Sequence, residues 1–237
     1  MITLRDFTIG FGDRTLVANA NATFGRGTLT ALLGRNGSGK STMLRAIAGL
    51  NSHFSGEILL DGEPQSSLSP ARLARTLAFV TTGRTRIAAM RSRDVVAMGR
   101  APYTNWLGRL SEADNQAIER ALDDVGMAAY ASRTLDSMSD GECQRIMIAR
   151  ALAQDTPIML LDEPTSFLDL PNRYELCRLL ASLAHERGKC ILFSTHELDI
   201  ARDTADTLAV IDPPMLHAAP TSRIIASGLL NRLFAIS

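Results

Sequence analysis

A chain of 237 residues, 46% of them hydrophobic and 21% charged, can bury a core of its own without disulfides or metal and has the composition of a globular α/β protein. Its 25 lysines and arginines balance its 25 aspartates and glutamates, which excludes a whole-protein basic field for nucleic acid while leaving a local patch open. No stretch approaches the roughly eighteen apolar residues of a membrane span, and Met1 to Asp6 lacks the basic-apolar-small pattern of a secretory leader, so a cytosolic chain with at most a peripheral membrane role is expected.

In chain order, the segment to about Thr28 alternates short apolar stretches with glycines, as in Leu4 to Ile9 followed by Gly10-Phe11-Gly12, and predicts short antiparallel strands with tight turns. Leu29 to Leu33 is a compact apolar run that feeds a glycine-rich loop, and Ser41 to Leu50 predicts a helix. Glu57 to Leu60 predicts another strand, ending at the turn Asp61-Gly62. From about Gly83 to Asp155 β-rich runs are few. Within it, Glu112 to Val125 has helical spacing through Ile118, Ala121, Leu122 and Val125, opened by a capping box from Ser111 to Asp114.

After Pro157 the α/β rhythm returns. Ile158 to Leu161 reads as a buried strand, Asn172 to Arg187 as a helix, Cys190 to Phe193 as a strand and Leu208 to Ile211 as the last strand. The alternation predicts one α/β domain with a mainly parallel sheet: residues 1–82 and 156–237 form the core with an antiparallel β subdomain, and residues 83–155 form an inserted helical subdomain. The cysteines Cys143, Cys177 and Cys190 have no paired spacing and read as free thiols of a reducing compartment.

Gly34-Arg35-Asn36-Gly37-Ser38-Gly39-Lys40-Ser41 matches the phosphate-loop pattern G-x-x-x-x-G-K-[ST], with a predicted strand before it and a helix after it. Its glycines let successive main-chain N–H groups curl around phosphate oxygens, and the helix adds its positive dipole end. Lys40 would reach the β- and γ-phosphates and Ser41 would ligate Mg²⁺, which makes Gly34, Asn36, Gly37, Ser38, Gly39, Lys40, Ser41 and Thr42 the candidate nucleotide contacts. The motif by itself specifies an NTPase and leaves kinase, GTPase and ATPase open.

The strand Ile158 to Leu161 exits into Asp162 and Glu163, two carboxylates that need a partner if they are not simply reaching solvent. Asp162 is the candidate metal ligand and Glu163 the residue that polarises an attacking water. His196 follows the next predicted strand. A lone histidine at a strand end is usually structural, but ligands bind at the carboxyl ends of parallel strands, which puts His196 near a γ-phosphate. His53, His185 and His217 have no such context.

With these residues assembled, the chain resembles the ABC ATPases, a P-loop NTPase family with a RecA-like core, over essentially its whole length. The discriminating segment is Ser139-Asp140-Gly141-Glu142, preceded by Met138 and opening a predicted helix to Gln154. It is similar to the family signature Leu-Ser-Gly-Gly-Gln, with Asp140 in place of a glycine. The resemblance implies that Ser139, Gly141 and Glu142 bind the nucleotide held by a second copy in a head-to-tail homodimer with two shared ATP sites. Ser166-Phe167-Leu168-Asp169 looks like the loop that contacts the partner, making Asp169 a nucleotide-side residue. Phe11 falls where the family has an aromatic stacked on adenine, although taken alone it reads as a core phenylalanine. Thr82 occupies the place of a family glutamine that touches Mg²⁺.

Val95 to Tyr103, Trp106 to Arg109 and Leu229 to Phe234 resemble the importers of iron-siderophore, haem and cobalamin complexes. That likeness implies ATP and Mg²⁺ as cofactors, integral membrane permease subunits as partners, an extracytoplasmic substrate-binding protein acting indirectly, a place on the cytoplasmic face of the cell membrane and no nucleic acid. Arg84, Arg86, Arg91 and Arg93 lie where a permease would dock, and read equally as a solvated face. A soluble ABC-type ATPase of nucleic-acid or protein machinery is the alternative, with arginines beside Tyr103 and Trp106 stacking on bases. A small-molecule kinase is a third reading, which leaves Ser139 without a role.

Overall fold

The computed structural model describes residues 1–81 and 89–234, so Thr82, Arg84 and Arg86 lie outside the described residues. Strands β1 (Ile2–Phe11) and β2 (Arg14–Phe24) pair antiparallel and are 10 and 11 residues long, where short strands are expected from the glycine spacing. Ile2 and Leu4, then Phe7 and Ile9, all point into the core because the register shifts at the intervening Asp6, whose φ is 47°. Strand β3 (Thr28–Gly34) runs through the glycine-rich loop into helix α1 (Lys40–Ile47). Strand β4 (Phe54–Leu60) pairs with β1 and turns at Asp61-Gly62 into β5 (Glu63–Pro64), giving an antiparallel sheet of order β2-β1-β4-β5.

Helix α2 (Pro70–Thr76), N-capped by Ser69, leads to β6 (Leu77–Val80). Helices α3 (Ser92–Ala97), α4 (Glu112–Asp124) and α5 (Asp140–Ala153) follow, with short 3₁₀ turns between them. The chain then alternates through β7 (Ile158–Leu161), α6 (Leu170–Arg187), β8 (Cys190–Ser194), α7 (Leu198–Thr204) and β9 (Thr207–Asp212). It closes with β10 (Met215–Pro220), α8 (Thr221–Ala226) and α9 (Leu229–Phe234).

The second sheet has the order β10-β9-β3-β8-β7-β6; β9, β3, β8, β7 and β6 are parallel, and β10 is antiparallel to β9. Leu208 to Ile211 is therefore not the last strand. Met215 to Pro220 is an edge strand of half-exposed residues after two prolines, and that pattern carries no alternating signature. The central strands, covered on both faces, read as continuous apolar runs. Their side chains nevertheless divide with a period of two: Met159, Leu161, Ile191, Phe193, Leu208 and Val210 enter the core beneath α3 to α7, whereas Ile158, Leu160, Cys190, Leu192, Ala209 and Ile211 enter the core shared with α1 and the antiparallel sheet.

This order brings the carboxyl ends of β3, β7 and β8 side by side, with Leu32 level with Ser194 and Leu161 level with Phe193. The phosphate loop, Asp162-Glu163 and Ser194-Thr195-His196 are thus neighbours although 121 residues separate Ser41 from Asp162. Among the described residues no helix is long and apolar enough to cross a membrane.

Candidate functional site

The phosphate loop leaves β3 at Gly34 and enters α1 at Gly39, whose φ of 104° only glycine adopts at low cost. A Cβ there would also press on Leu16 at 3.0 Å. No side chain caps α1 and no acid stands in its first turn, so its leading N–H groups are left for an anion. The Lys40 ammonium folds back to donate to the Gly34 carbonyl at 2.9 Å and is buried. Burial lowers its pKa from the ordinary lysine value, while Glu163 and Asp162 oppose that shift. Ser38 Oγ is also buried and has no hydrogen-bond partner among the described residues, an orphan of the kind a phosphate oxygen satisfies.

Asp162 stands at the end of β7, where its Oδ1 accepts from Ser41 Oγ at 2.9 Å and from Ser194 Oγ at 2.7 Å. The same Ser194 oxygen accepts the Glu163 N–H at 2.8 Å, so one hydroxyl ties both acids to β8. Glu163 has φ 46°, left-handed backbone that costs a non-glycine residue roughly 1–2 kcal/mol and is held by this bond and by the Ser166 N–H on its carbonyl. Its carboxylate accepts from Ser166 Oγ at 3.2 Å and lies 3.7 Å from His196 Nδ1. Ser194 is the residue that sequence reasoning misses. Its signal is a fully buried hydroxyl closing the apolar run Cys190 to Phe193.

Among the described residues no group of three or more His, Cys, Asp or Glu side chains gathers as a metal cage. The oxygens of Ser41 and Asp162 are of the kind that suits a hard ion such as Mg²⁺, which is held by few protein ligands.

Beside this cluster opens a cleft of ≈ 350 Å³ lined by Phe11, Arg14, Leu16, the loop from Asn36 to Thr42, and Glu163. Phe11 is 78% exposed at the end of β1, so it is not a core residue. Arg14, which sequence reasoning also misses, faces it across the start of β2. Ser139, Gly141, Glu142 and Asp169 are absent from the cleft lining. Ser139 caps α5: its Oγ accepts the Glu142 N–H at 3.2 Å, and the Glu142 carboxylate accepts the Ser139 N–H at 2.8 Å. Gly141 lies against Leu168, and Asp169 caps α6 by accepting from Asn172 N–H at 3.2 Å. Arg93 is bonded to Asn115 at 2.8 Å, whereas Arg91 is exposed at the start of α3.

The profile of the ABC transporter family matches residues 17–166. The achromobactin transport ATP-binding protein CbrD of Dickeya dadantii is 38% identical, over 98% of this chain and 87% of its own length. The iron(3+)-hydroxamate import ATP-binding protein FhuC of Bacillus subtilis is 34% identical over 96% and 85%, and the hemin import ATP-binding protein HmuV of Nocardia farcinica 38% over 88% and 72%. Among solved structures, a dimeric bacterial ABC transporter cassette superposes with a TM-score of 0.78 at 26% identity, over 93% of this chain and 99% of that one.

Proposed function

The chain belongs to the ABC transporter family, and on that premise we propose that it is the ATP-hydrolysing subunit of an importer that takes up an iron-siderophore, haem or cobalamin type substrate through a separate membrane permease. The observation that carries the ATPase chemistry is the meeting of Ser41, Asp162 and Ser194 beside the buried Lys40, at the inner end of an open cleft. In this reading adenine stacks on Phe11 and the phosphates lie over Asn36 to Thr42, with Ser38 Oγ satisfied by an oxygen. Gly34 keeps the loop close to the strand, and Lys40 turns from the Gly34 carbonyl to the β- and γ-phosphates.

Ser41 and Asp162 would hold Mg²⁺, with Thr82 as a candidate third contact, and when bound the ion would supply neutralising charge to the phosphate oxygens. Glu163, aimed by Ser194 and Ser166, polarises the attacking water, and His196 steadies the γ-phosphate. Residues 83–155 act as the inserted helical subdomain that carries the signature.

Ser139, Gly141, Glu142 and Asp169 stand outside the cleft of their own chain. A second copy packed head-to-tail would bring those residues over the nucleotide, an arrangement supported by the dimeric cassette that this chain resembles. ATP would close the dimer, and closure would move the permease on the cytoplasmic face of the membrane. An extracytoplasmic binding protein supplies the substrate on the other side.

The test is to tag the chain in its native cell, solubilise membranes gently and identify what co-purifies by mass spectrometry. A multi-spanning membrane protein is the expected companion, with ATP hydrolysis that Lys40→Ala lowers by about 10²–10³-fold. Recovery from the soluble fraction with nucleic acid or cytosolic proteins attached would sink the transporter reading and favour a soluble ABC-type ATPase.

A further inference from the structure

At the end of α5 far from Ser139, the helix meets the rest of the molecule through polar groups. Gln154 follows the last residue of α5, and its Nε2 donates to the Ala74 carbonyl at 2.6 Å, in the last turn of α2, and to the Leu77 carbonyl at 3.0 Å, the first residue of β6. The Gln154 main-chain oxygen accepts from Tyr103 Oη at 3.1 Å, and the Ala153 oxygen accepts from Arg100 Nη1 at 2.8 Å. Arg75 reaches out from α2 to donate twice to the Pro102 carbonyl, at 3.1 and 2.8 Å. The Tyr103 ring centre lies 3.9 Å from the Arg100 guanidinium and 5.1 Å from that of Arg75. Arg100 is fixed from behind by Asp114 at 2.7 Å. Gly99 lets this turn press on α5, since a Cβ there would collide with the Arg150 carbonyl.

Apolar burial is non-directional, whereas hydrogen bonds have a preferred angle. The Gly141 end of α5 rests on the Leu168 side chain, a contact that tolerates sliding. Farther along the helix, Arg145 donates to the Val125 carbonyl at 3.2 Å and pairs with Glu175 at 2.9 Å, and Cys143 Sγ donates to the Leu135 carbonyl at 3.3 Å, whereas the bonds at the Gln154 end tie α5 directly to α2 and to β6, the strand beside the acids. A 14-residue helix is about 21 Å long, so a tilt of about 5° at Gln154 moves the Ser139 end by about 2 Å. Misplacement by about 1 Å can cost about a hundredfold in rate. The joint also reaches the acids: Leu77 starts β6, and Val80 at its other end accepts the Asp162 N–H at 2.9 Å.

We propose that Gln154, with Tyr103 and Arg75, is the positioning joint that holds the Ser139 end of α5 in register with the phosphate loop and with Asp162. It rests on the reading of this chain as an ATPase that works as a dimer. Gln154 touches no nucleotide in that reading, so its loss should separate binding from turnover. The experiment compares purified wild type, Gln154→Met and Tyr103→Phe in three measurements: affinity of the single chain for a fluorescent ATP analogue, steady-state hydrolysis, and ATP-driven dimerisation in a Glu163→Gln background.

The expected result for Gln154→Met is an analogue Kd within about twofold of wild type. Its kcat falls about tenfold or more, and the ATP concentration for half-maximal dimerisation rises by a similar factor. Tyr103→Phe, which removes a single oxygen, gives the same split at smaller size and keeps the test intact if the first variant fails to fold. Wild-type turnover and dimerisation in both variants would overturn the joint, as would a parallel loss of analogue affinity, kcat and thermal midpoint. A wild-type chain that neither binds ATP nor dimerises with it would overturn the ATPase reading first, and the joint with it.

Discussion

Two helix starts in this chain are proposed to receive phosphate, and they are built in opposite ways. Helix α1 begins at the left-handed Gly39 with no side-chain cap and no acid in its first turn. Helix α5 begins with a complete capping box between Ser139 and Glu142, and carries Asp140 and Glu142 in its first turn. The α1 start has N–H groups that wait for a ligand, and a lysine beside them. The α5 start satisfies itself and offers a phosphate mainly the Ser139 hydroxyl hydrogen, against the repulsion of acids nearby. The difference teaches an order of events. On the proposed function, a single chain would bind nucleotide through α1, and α5 would add its smaller contribution only after the phosphate is neutralised.

The sharpest way to break this comparison is Lys40→Ala. It removes the cation from the open helix start and should lower hydrolysis about 10²–10³-fold while abolishing tight binding to the single chain, as read by nucleotide titration. Ser139→Ala should leave single-chain affinity unchanged and lower kcat about tenfold to a hundredfold, the worth of one hydrogen bond to a charged group. If it weakens single-chain binding instead, the separation of the two helix starts is wrong. Phe11→Ala should weaken nucleotide binding about two- to tenfold without changing kcat at saturation, measured as KM against kcat.

Glu142→Gln tests the self-capped end directly. An amide oxygen can still cap Ser139 while the charge is gone, so ATP-driven dimerisation should tighten by about 0.3–1 kcal/mol, roughly two- to fivefold, with little change in thermal midpoint.

The smallest effect sharpens the comparison through a third helix start. The box of α4 repeats the design of α5, but its acid, Asp114, is buried, and hydrogen bonds from Ser111, with help from Arg100, hold its pKa at about 2. Because that value lies below the unfolded one of about 3.9, its stabilisation is complete above about pH 4 and is lost as pH falls toward 2. Acid unfolding followed by circular dichroism should show this loss in wild type, and Asp114→Asn should flatten it.

Much of the architecture was legible because its signals are local. Residues 34–41 are one continuous stretch whose glycines set the backbone, and the helix over 112–124 announces itself through the Ser111 box and a single apolar face. The apolar runs at 158–161 and 190–193 were legible as buried strands because both faces of their sheet are covered. Strand β10 was not, since an edge strand with half-exposed residues has no alternation to read. The short helices α2, α3, α7 and α8, each of six or seven residues, were missed because so few turns cannot show a period. Phe11 illustrates the limit at one residue: composition alone puts a phenylalanine inside, and the end of β1 leaves it 78% exposed on the cleft.

By itself the sequence determined which short stretches could cradle a phosphate, end a strand in two acids or cap a helix, because neighbouring residues and backbone dihedrals suffice for those. Tertiary structure decided which of them meet. The strand order β3-β8-β7 puts Ser194 beneath Asp162 and Glu163 and brings Ser41 within 2.9 Å of Asp162. The packing of α5 holds Ser139 away from the cleft of its own chain and ties Gln154 to Ala74 and Leu77. Contacts between residues 77 to 121 apart in the chain have no local signal, since only the pairing of strands and the filling of a common core bring them together.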